Sequence, residues 1–237
     1  MKTDTGALAV SLVLTSLLAA ASSADAQQRE TRPLEGFDAI EVGGGIDLFL
    51  RQGQNFVVEV EPDEAEDAAE IVTEVRERTL VIRRKSSFNF FSWDGDPGAV
   101  HVTLPALVSL TASGGSDVRT EGAFTSDNLQ IVASGGSDLV MTVSATTLEA
   151  QASGGSDMRL SGTVRSASVR SRGGSDLNAS GLTAAEADVE SSGGSDLSIA
   201  VRDKIVGNAS GGSDIAYSGQ PTVVDVNTSG GADVRRR

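Results

Sequence analysis

The chain has 237 residues with 33 Asp+Glu against 19 Lys+Arg, one His and no Cys, for a formal net charge of −14. Without Cys there are no disulfides, thiolate metal ligands or cysteine nucleophiles, and a lone His101 leaves little room for a zinc site or a Ser-His-Asp relay. An acidic surface repels nucleic acid and anionic lipid, so neither is an expected partner. Hydrophobic residues make up 39% of the chain and aromatics only 4%, which predicts a core of Val, Leu, Ile and Ala.

The first element is an address. Residues 7–21 form an apolar run preceded by Lys2 and followed by Ala24-Asp25-Ala26, the pattern of a secretory signal peptide cut after Ala26. The run is shorter than the ~20 residues a bilayer span needs. The expected product is periplasmic, extracellular or held at the cell surface, with no integral span after cleavage. Residues 27–36 read as a short linker, and 34–235 as one domain with a diverged part (34–105) and a regular part (106–235).

Residues 37–61 read as strands, with a turn at Gln52-Gly53-Gln54 and a strand from Phe56 to Glu61. Pro62 opens an acidic stretch, Asp63 to Glu70, that fits one short helix with proline in its first turn. Those acids suit a solvated helix face or attraction of a cationic partner. Strands follow at 71–77, 79–84 and 99–104. Between them, Ser86–Gly98 holds Phe88, Phe90, Phe91 and Trp93, four of the nine aromatics. Clustered rings suit capture of a sugar or protein partner, or a plug over an apolar end. Asp94-Gly95-Asp96 beside them is compatible with a calcium ligand pair or a simple turn.

The second half is periodic. Gly-Gly-Ser-Asp begins at Gly114, Gly135, Gly154, Gly173, Gly193 and Gly211, and a seventh copy starting at Gly230 has Ala232 in place of Ser. Its aspartates, Asp117, Asp138, Asp157, Asp176, Asp196, Asp214 and Asp233, are 21, 19, 19, 20, 18 and 19 residues apart. A diverged copy, Gly44-Gly45-Ile46-Asp47, lies 70 residues before Asp117. The residue after each repeat Asp is apolar, and apolar residues recur four and six positions before the first Gly. Two positions before it the residue is small. Period-two alternation of this kind predicts strand, and a unit of about 19 residues buries its apolar face only by stacking on its neighbours. The fold class expected is all-β, a right-handed parallel β-helix or β-solenoid, with one short helix in the N-terminal part. Seven coils at about 4.8 Å each give a rod of roughly 34 Å. Parity carried through the glycine corner places Ser116 and its equivalents inward, and Asp117 and its equivalents outward.

These residues resemble the auto-transporter adhesin head GIN domain family. The features that carry the resemblance are Phe37-Asp38-Ala39-Ile40-Glu41-Val42, Gly44-Gly45-Ile46-Asp47-Leu48, Leu80-Val81-Ile82, Val102-Thr103-Leu104-Pro105, the serial Ser-Gly-Gly-Ser-Asp turns and the close from Asp214 to Pro221. The resemblance covers about residues 34–235 and implies an exported β-helical domain, adhesin-like by family. An auto-transporter also carries a C-terminal membrane barrel; no such segment is read here, so self-secretion is not expected.

Seven carboxylates in register, about 5 Å apart, repel one another by about 0.8 kcal/mol per neighbouring pair in water. Calcium could offset this, which makes the seven repeat aspartates weak calcium candidates. Local bonding could do the same, with each Asp accepting from turn amides or serine hydroxyls. The local account is preferred, because the repeats-in-toxin unit is Gly-Gly-x-Gly-x-Asp every nine residues and half of it is missing here. No cofactor is expected. Arg235-Arg236-Arg237 read as charges that blunt a final sheet edge, with polyanion binding as the alternative. No catalytic residues are assigned: coils of 18 to 21 residues leave little length for the loops that wall a polysaccharide-cleaving groove. The expected function is a non-catalytic surface or envelope interaction module whose partner is a glycan or envelope protein. A structural or sensory module that binds a protein partner is the alternative, and a polysaccharide-active enzyme ranks below both.

Overall fold

A computed structural model describes residues 29–63, 67–85 and 98–237. The expected signal peptide and the aromatic cluster Phe88–Trp93 lie outside the described residues. The fold is an all-β, right-handed parallel solenoid with coils of about 19 residues. Eight short strands come first: β1 (Glu30–Thr31), β2 (Ala39–Val42), β3 (Asp47–Gln52), β4 (Val57–Pro62), β5 (Ile71–Arg76), β6 (Thr79–Arg84), β7 (Gly98–Leu104) and β8 (Ser109–Ser113). Five long strands follow: β9 (Asp117–Ser134), β10 (Asp138–Ser153), β11 (Asp157–Gly173), β12 (Asp176–Gly193) and β13 (Asp196–Gly211). The last coil is formed by β14 (Asp214–Ser218), β15 (Val223–Thr228) and β16 (Asp233–Arg236).

Burial along β10 shows how one coil is built. Leu139, Met141 and Val143 point inward, then Leu148, Ala150 and Ala152 do. The switch from odd to even numbers across Ser144–Thr147 marks a corner opposite the Gly-Gly-Ser-Asp corner. The β10 coil therefore has two strand-like faces and two turns, with three inward side chains per face. Stacking aligns these residues in columns: Leu139 pairs with Val118 on one side and Met158 on the other. Each inward Leu, Val or Met gives about 1.5–3 kcal/mol of burial energy, available only once a neighbouring coil covers it.

The first coils are not stacked in chain order. β2 pairs in parallel with both β6 and β8, while β3 pairs in parallel with both β7 and β9. The β2–β3 coil thus lies between the β6–β7 coil and the β8–β9 coil. The chain lays down the second coil first, turns back to build the outer one, then crosses over Pro105–Val108 to continue the stack. This order places the diverged Gly44 beside Gly114: a Cβ on Gly114 would lie 3.4 Å from the Gly44 nitrogen.

The outer end is closed by antiparallel strands. β5 pairs with β6, β4 with β7, and β1 with β4. The β5–β6 hairpin turns on Glu77 and Arg78, with φ of 47° and 67°, the left-handed conformation that two-residue hairpins require. The short helix expected after Pro62 finds no support. Among the described residues there is no α-helix, and this stretch contributes one 3-10 turn, Asp67–Ala69. Eight residues are too few for an isolated helix, and Ile71 must already enter the β5 strand.

Two apolar positions depart from the expected inward column. Val108 is 43% exposed and Val224 48% exposed. Val108 lies on the crossover before β8 begins, and Val224 lies on the outermost described coil, with no further described coil above it.

Candidate interaction face

The repeat divides labour between its serine and its aspartate. Ser116, Ser137, Ser156, Ser175, Ser195 and Ser213 are fully buried, so the inward parity expected of them holds through the corner. A buried hydroxyl needs partners, and each of the later ones donates to a backbone carbonyl one coil back. Ser137 Oγ donates to Ala112 O at 3.2 Å, Ser175 Oγ to Ala152 O at 3.1 Å, and Ser213 Oγ to Ser191 O at 3.0 Å. In Ser137, Ser156, Ser175 and Ser195 the same oxygen accepts a backbone N–H from within its own coil, as from Arg172 to Ser175 at 3.2 Å. Serine therefore fastens the corner to itself and to its neighbour. In the diverged copy Ile46 takes the inward place, and its N–H donates to Ser116 Oγ at 3.2 Å.

The aspartates form one column on the outer face. The strand register pairs Asp117 with Asp138, Asp138 with Asp157, Asp157 with Asp176, Asp176 with Asp196, Asp196 with Asp214, and Asp214 with Asp233. Asp47 extends the row, since Leu48 pairs with Val118. The expected local bonding is not what the carboxylates do. Their backbone N–H groups serve the stack, as from Asp176 to Ser156 O at 3.1 Å, and the serine hydroxyls are spent on the backbone. Of the seven repeat carboxylates, two have cationic neighbours: Arg119 reaches Asp117 at 3.3 Å and Arg235 lies 3.8 Å from Asp214. Asp138, Asp176 and Asp196 are exposed and Asp157 is half-buried, so solvent and salt screen their repulsion. Among the described residues no three His, Asp or Glu side chains converge as a metal site would need.

Beside this column runs a second one, Arg159, Asn178, Ser198, Ala216 and Arg235, polar except at buried Ala216, and the two line a shallow groove of about 190 Å³. Asn178 Oδ1 accepts from Ser180 N–H at 3.1 Å and from Ser198 Oγ at 3.1 Å. The opposite face carries an ion-pair ladder in which Arg170 bridges Glu149 at 2.9 Å and Glu190 at 3.4 Å. The guanidinium groups of Arg78 and Arg202 are raised above the ordinary arginine range by hydrogen bonds and charge attraction to Asp38 and Asp203; neither belongs to the carboxylate column.

His101 serves the cap. Its ring stacks on Phe49 with centroids 4.9 Å apart, and Nε2 lies 2.7 Å from Glu61, which Arg29 also holds at 2.8 Å. The Arg235–Arg237 segment is on the outermost described coil, with Arg237 N–H donating to Tyr217 O at 2.8 Å.

One feature of the surface was hidden in the sequence. Where Pro105–Val108 crosses the β2–β3 coil, a groove of about 880 Å³ opens between the crossover and the Thr125–Gln130 stretch of β9. Gln52 ties its walls together. Its Oε1 accepts from Thr125 N–H at 2.8 Å, and its Nε2 donates to Thr125 O at 3.1 Å and Pro105 O at 3.0 Å. In sequence Gln52 reads only as part of a turn. The 21-residue spacing between Asp117 and Asp138, the longest of the series, was the available signal.

The family model described as "putative auto-transporter adhesin, head GIN domain" matches residues 36–221. The chain belongs to this family. Solved structures agree on the fold. A protein described as a putative adhesin from Bacteroides fragilis is 24% identical, with a TM-score of 0.79 over 89% of this chain and 96% of its own. One described as a putative lipid binding protein from Parabacteroides distasonis is 17% identical, with a TM-score of 0.66 over 89% and 96%. A putative adhesin from Parabacteroides merdae is also 17% identical, with a TM-score of 0.66 over 89% and 95%. A search of the curated proteins found no significant match.

Proposed function

We propose that this GIN-domain chain is a non-catalytic, exported β-solenoid that makes adhesin-like contacts at the cell surface or envelope, with a glycan or an envelope protein as partner. The observation that carries this reading is the in-register column of repeat aspartates flanked on one smooth face by Arg159, Asn178 and Ser198. Such a face offers many similar, individually weak hydrogen-bond sites at about 4.8 Å intervals, and their sum gives avidity rather than a single deep pocket. Among the described residues no helix is long and apolar enough to cross a membrane. The relative described as lipid binding suggests a second ligand class, but the inward columns of Leu, Val, Ile and Ala here favour recognition at the surface.

Purified chain used as bait on native envelope material tests the proposal. Capture of a glycan or protein that weakens when Asp138, Asp157, Asp176 and Asp196 are all changed to Asn supports it. Turnover of an acidic polysaccharide, abolished by one Asp substitution, would overturn the non-catalytic reading. Phe88, Phe90, Phe91 and Trp93 form a second proposed contact: changing them to Ser should reduce capture with an unchanged melting temperature. A lower melting temperature instead would assign them to a structural plug.

A further inference from the structure

We infer that the groove beneath the Pro105–Val108 crossover is a binding site for a neutral oligosaccharide; this rests on the adhesin-like reading and gives it a specific ligand class and place. The groove exists because of a topological switch. The chain leaves β7, strides over the β2–β3 coil and enters β8, so the crossover stands beside the surface of the stack. Its volume of about 880 Å³ falls in the range of ligand clefts, about 300–1,000 Å³. Its walls are held by the three hydrogen bonds of Gln52, so the shape is set before any ligand arrives.

The lining selects the ligand. Asn128, Gln130, Thr147 and Asp127 present amide, hydroxyl and carboxylate groups that make no side-chain hydrogen bond within the molecule. Val108, 43% exposed, supplies an apolar strip next to them. Sugars match this combination, since hydroxyls pair with amides and carboxylates while the C–H face rests on small apolar side chains. Asp127 makes the lining acidic, Glu149 is already held by Arg170 at 2.9 Å, and no Lys or Arg lines it, so uronates, phosphates and sulfated chains are disfavoured. An extended peptide is also disfavoured. It would seek free backbone groups, but at the two ends of the groove Thr125 is bonded by Gln52 and Gln130 N–H donates to Val108 O at 2.9 Å.

The test uses the full exported chain and ligand-observed saturation-transfer NMR. Probes are neutral gluco-, manno- and xylo-oligosaccharides of four to six units, with oligogalacturonate and a pool of unstructured peptides for comparison. A neutral oligosaccharide should bind, and N128A/Q130A should weaken it about tenfold, the loss of roughly one to two hydrogen bonds. Q52A should weaken it with both contact residues intact, because it frees the walls. Unchanged circular dichroism in each variant separates lost contacts from lost fold. No binding by any neutral probe at millimolar concentration, binding untouched by N128A/Q130A, or preference for oligogalacturonate or peptide would each overturn the assignment. Envelope capture by N128A/Q130A equal to that of the parent would place adhesion elsewhere and leave the broader function standing; a parent chain that captures nothing from the envelope would remove that function itself.

Discussion

The hydroxyl of Ser156 donates to the carbonyl of Ala133 at 3.1 Å, one coil away and 23 residues earlier, and accepts the N–H of Ser153 at 3.0 Å. Both partners belong to the buried corner, so removing the hydroxyl strands a carbonyl and an amide together. Ser156→Ala should cost about 2 kcal/mol. Ser153→Ala, on the outer side of the same corner, should change stability by less than about 0.5 kcal/mol. Urea denaturation of the two variants checks the contrast, and equal effects would remove the stitching role given to the repeat serine.

The paired glycines are not equivalent. Gly155 has φ of 78° with nothing within 4 Å of an added Cβ, whereas Gly193, at φ of 85°, would put that Cβ 2.9 Å from the carbonyl oxygen of Gly173. Gly155→Ala should cost about 1–2 kcal/mol through backbone strain alone. Gly193→Ala adds a clash with a backbone atom fixed in the stack, so it should be the more damaging by at least about 1 kcal/mol. Comparison of urea midpoints decides it.

The aspartate column should be a modest burden on stability. With no internal acceptor role for their carboxylates, Asp176→Asn and Asp196→Asn each remove like-charge neighbours worth about 0.8 kcal/mol in water at about 5 Å. The double variant should melt higher than the parent at low ionic strength, and the gain should shrink in ~0.5 M salt. Calcium should stabilise the parent no more than sodium at equal ionic strength. A double variant that melts lower would restore the local hydrogen-bond account, and a large calcium-specific rise would reveal a cation site.

The last repeat lacks its serine. Ser213 reaches back to Ser191 O at 3.0 Å, and the equivalent carbonyl one coil on belongs to Ala209. Ala232→Ser places a hydroxyl there and should add about 0.5–1 kcal/mol, measured as a higher urea midpoint. No gain would mean that the backbone bond from Ser229 N–H to Ala209 O, at 3.0 Å, already satisfies this carbonyl.

Periodicity made most of the stack readable from the amino acids alone. The spacing of Asp117 through Asp233, the apolar residue after each, and the small residue before each corner are local constraints repeated coil after coil. Parallel stacking turns equal spacing directly into equal position, which is why inward Ser156 and outward Asp157 followed from parity. Family membership was legible for the same reason. Three things depended on contacts across long stretches of chain. The insertion of the β2–β3 coil between two later ones brings Asp47 into line with Asp117, and no local pattern records that order. The acidic run after Pro62 has the composition of a helix start, but its neighbours needed a strand at Ile71, and tertiary pairing overrode a weak local preference. The groove tied by Gln52 joins residues 53 and 73 positions apart, so it exists only once the crossover is in place. Repetition is written in the sequence; the order in which coils are laid against one another is set by which apolar faces remain to be covered.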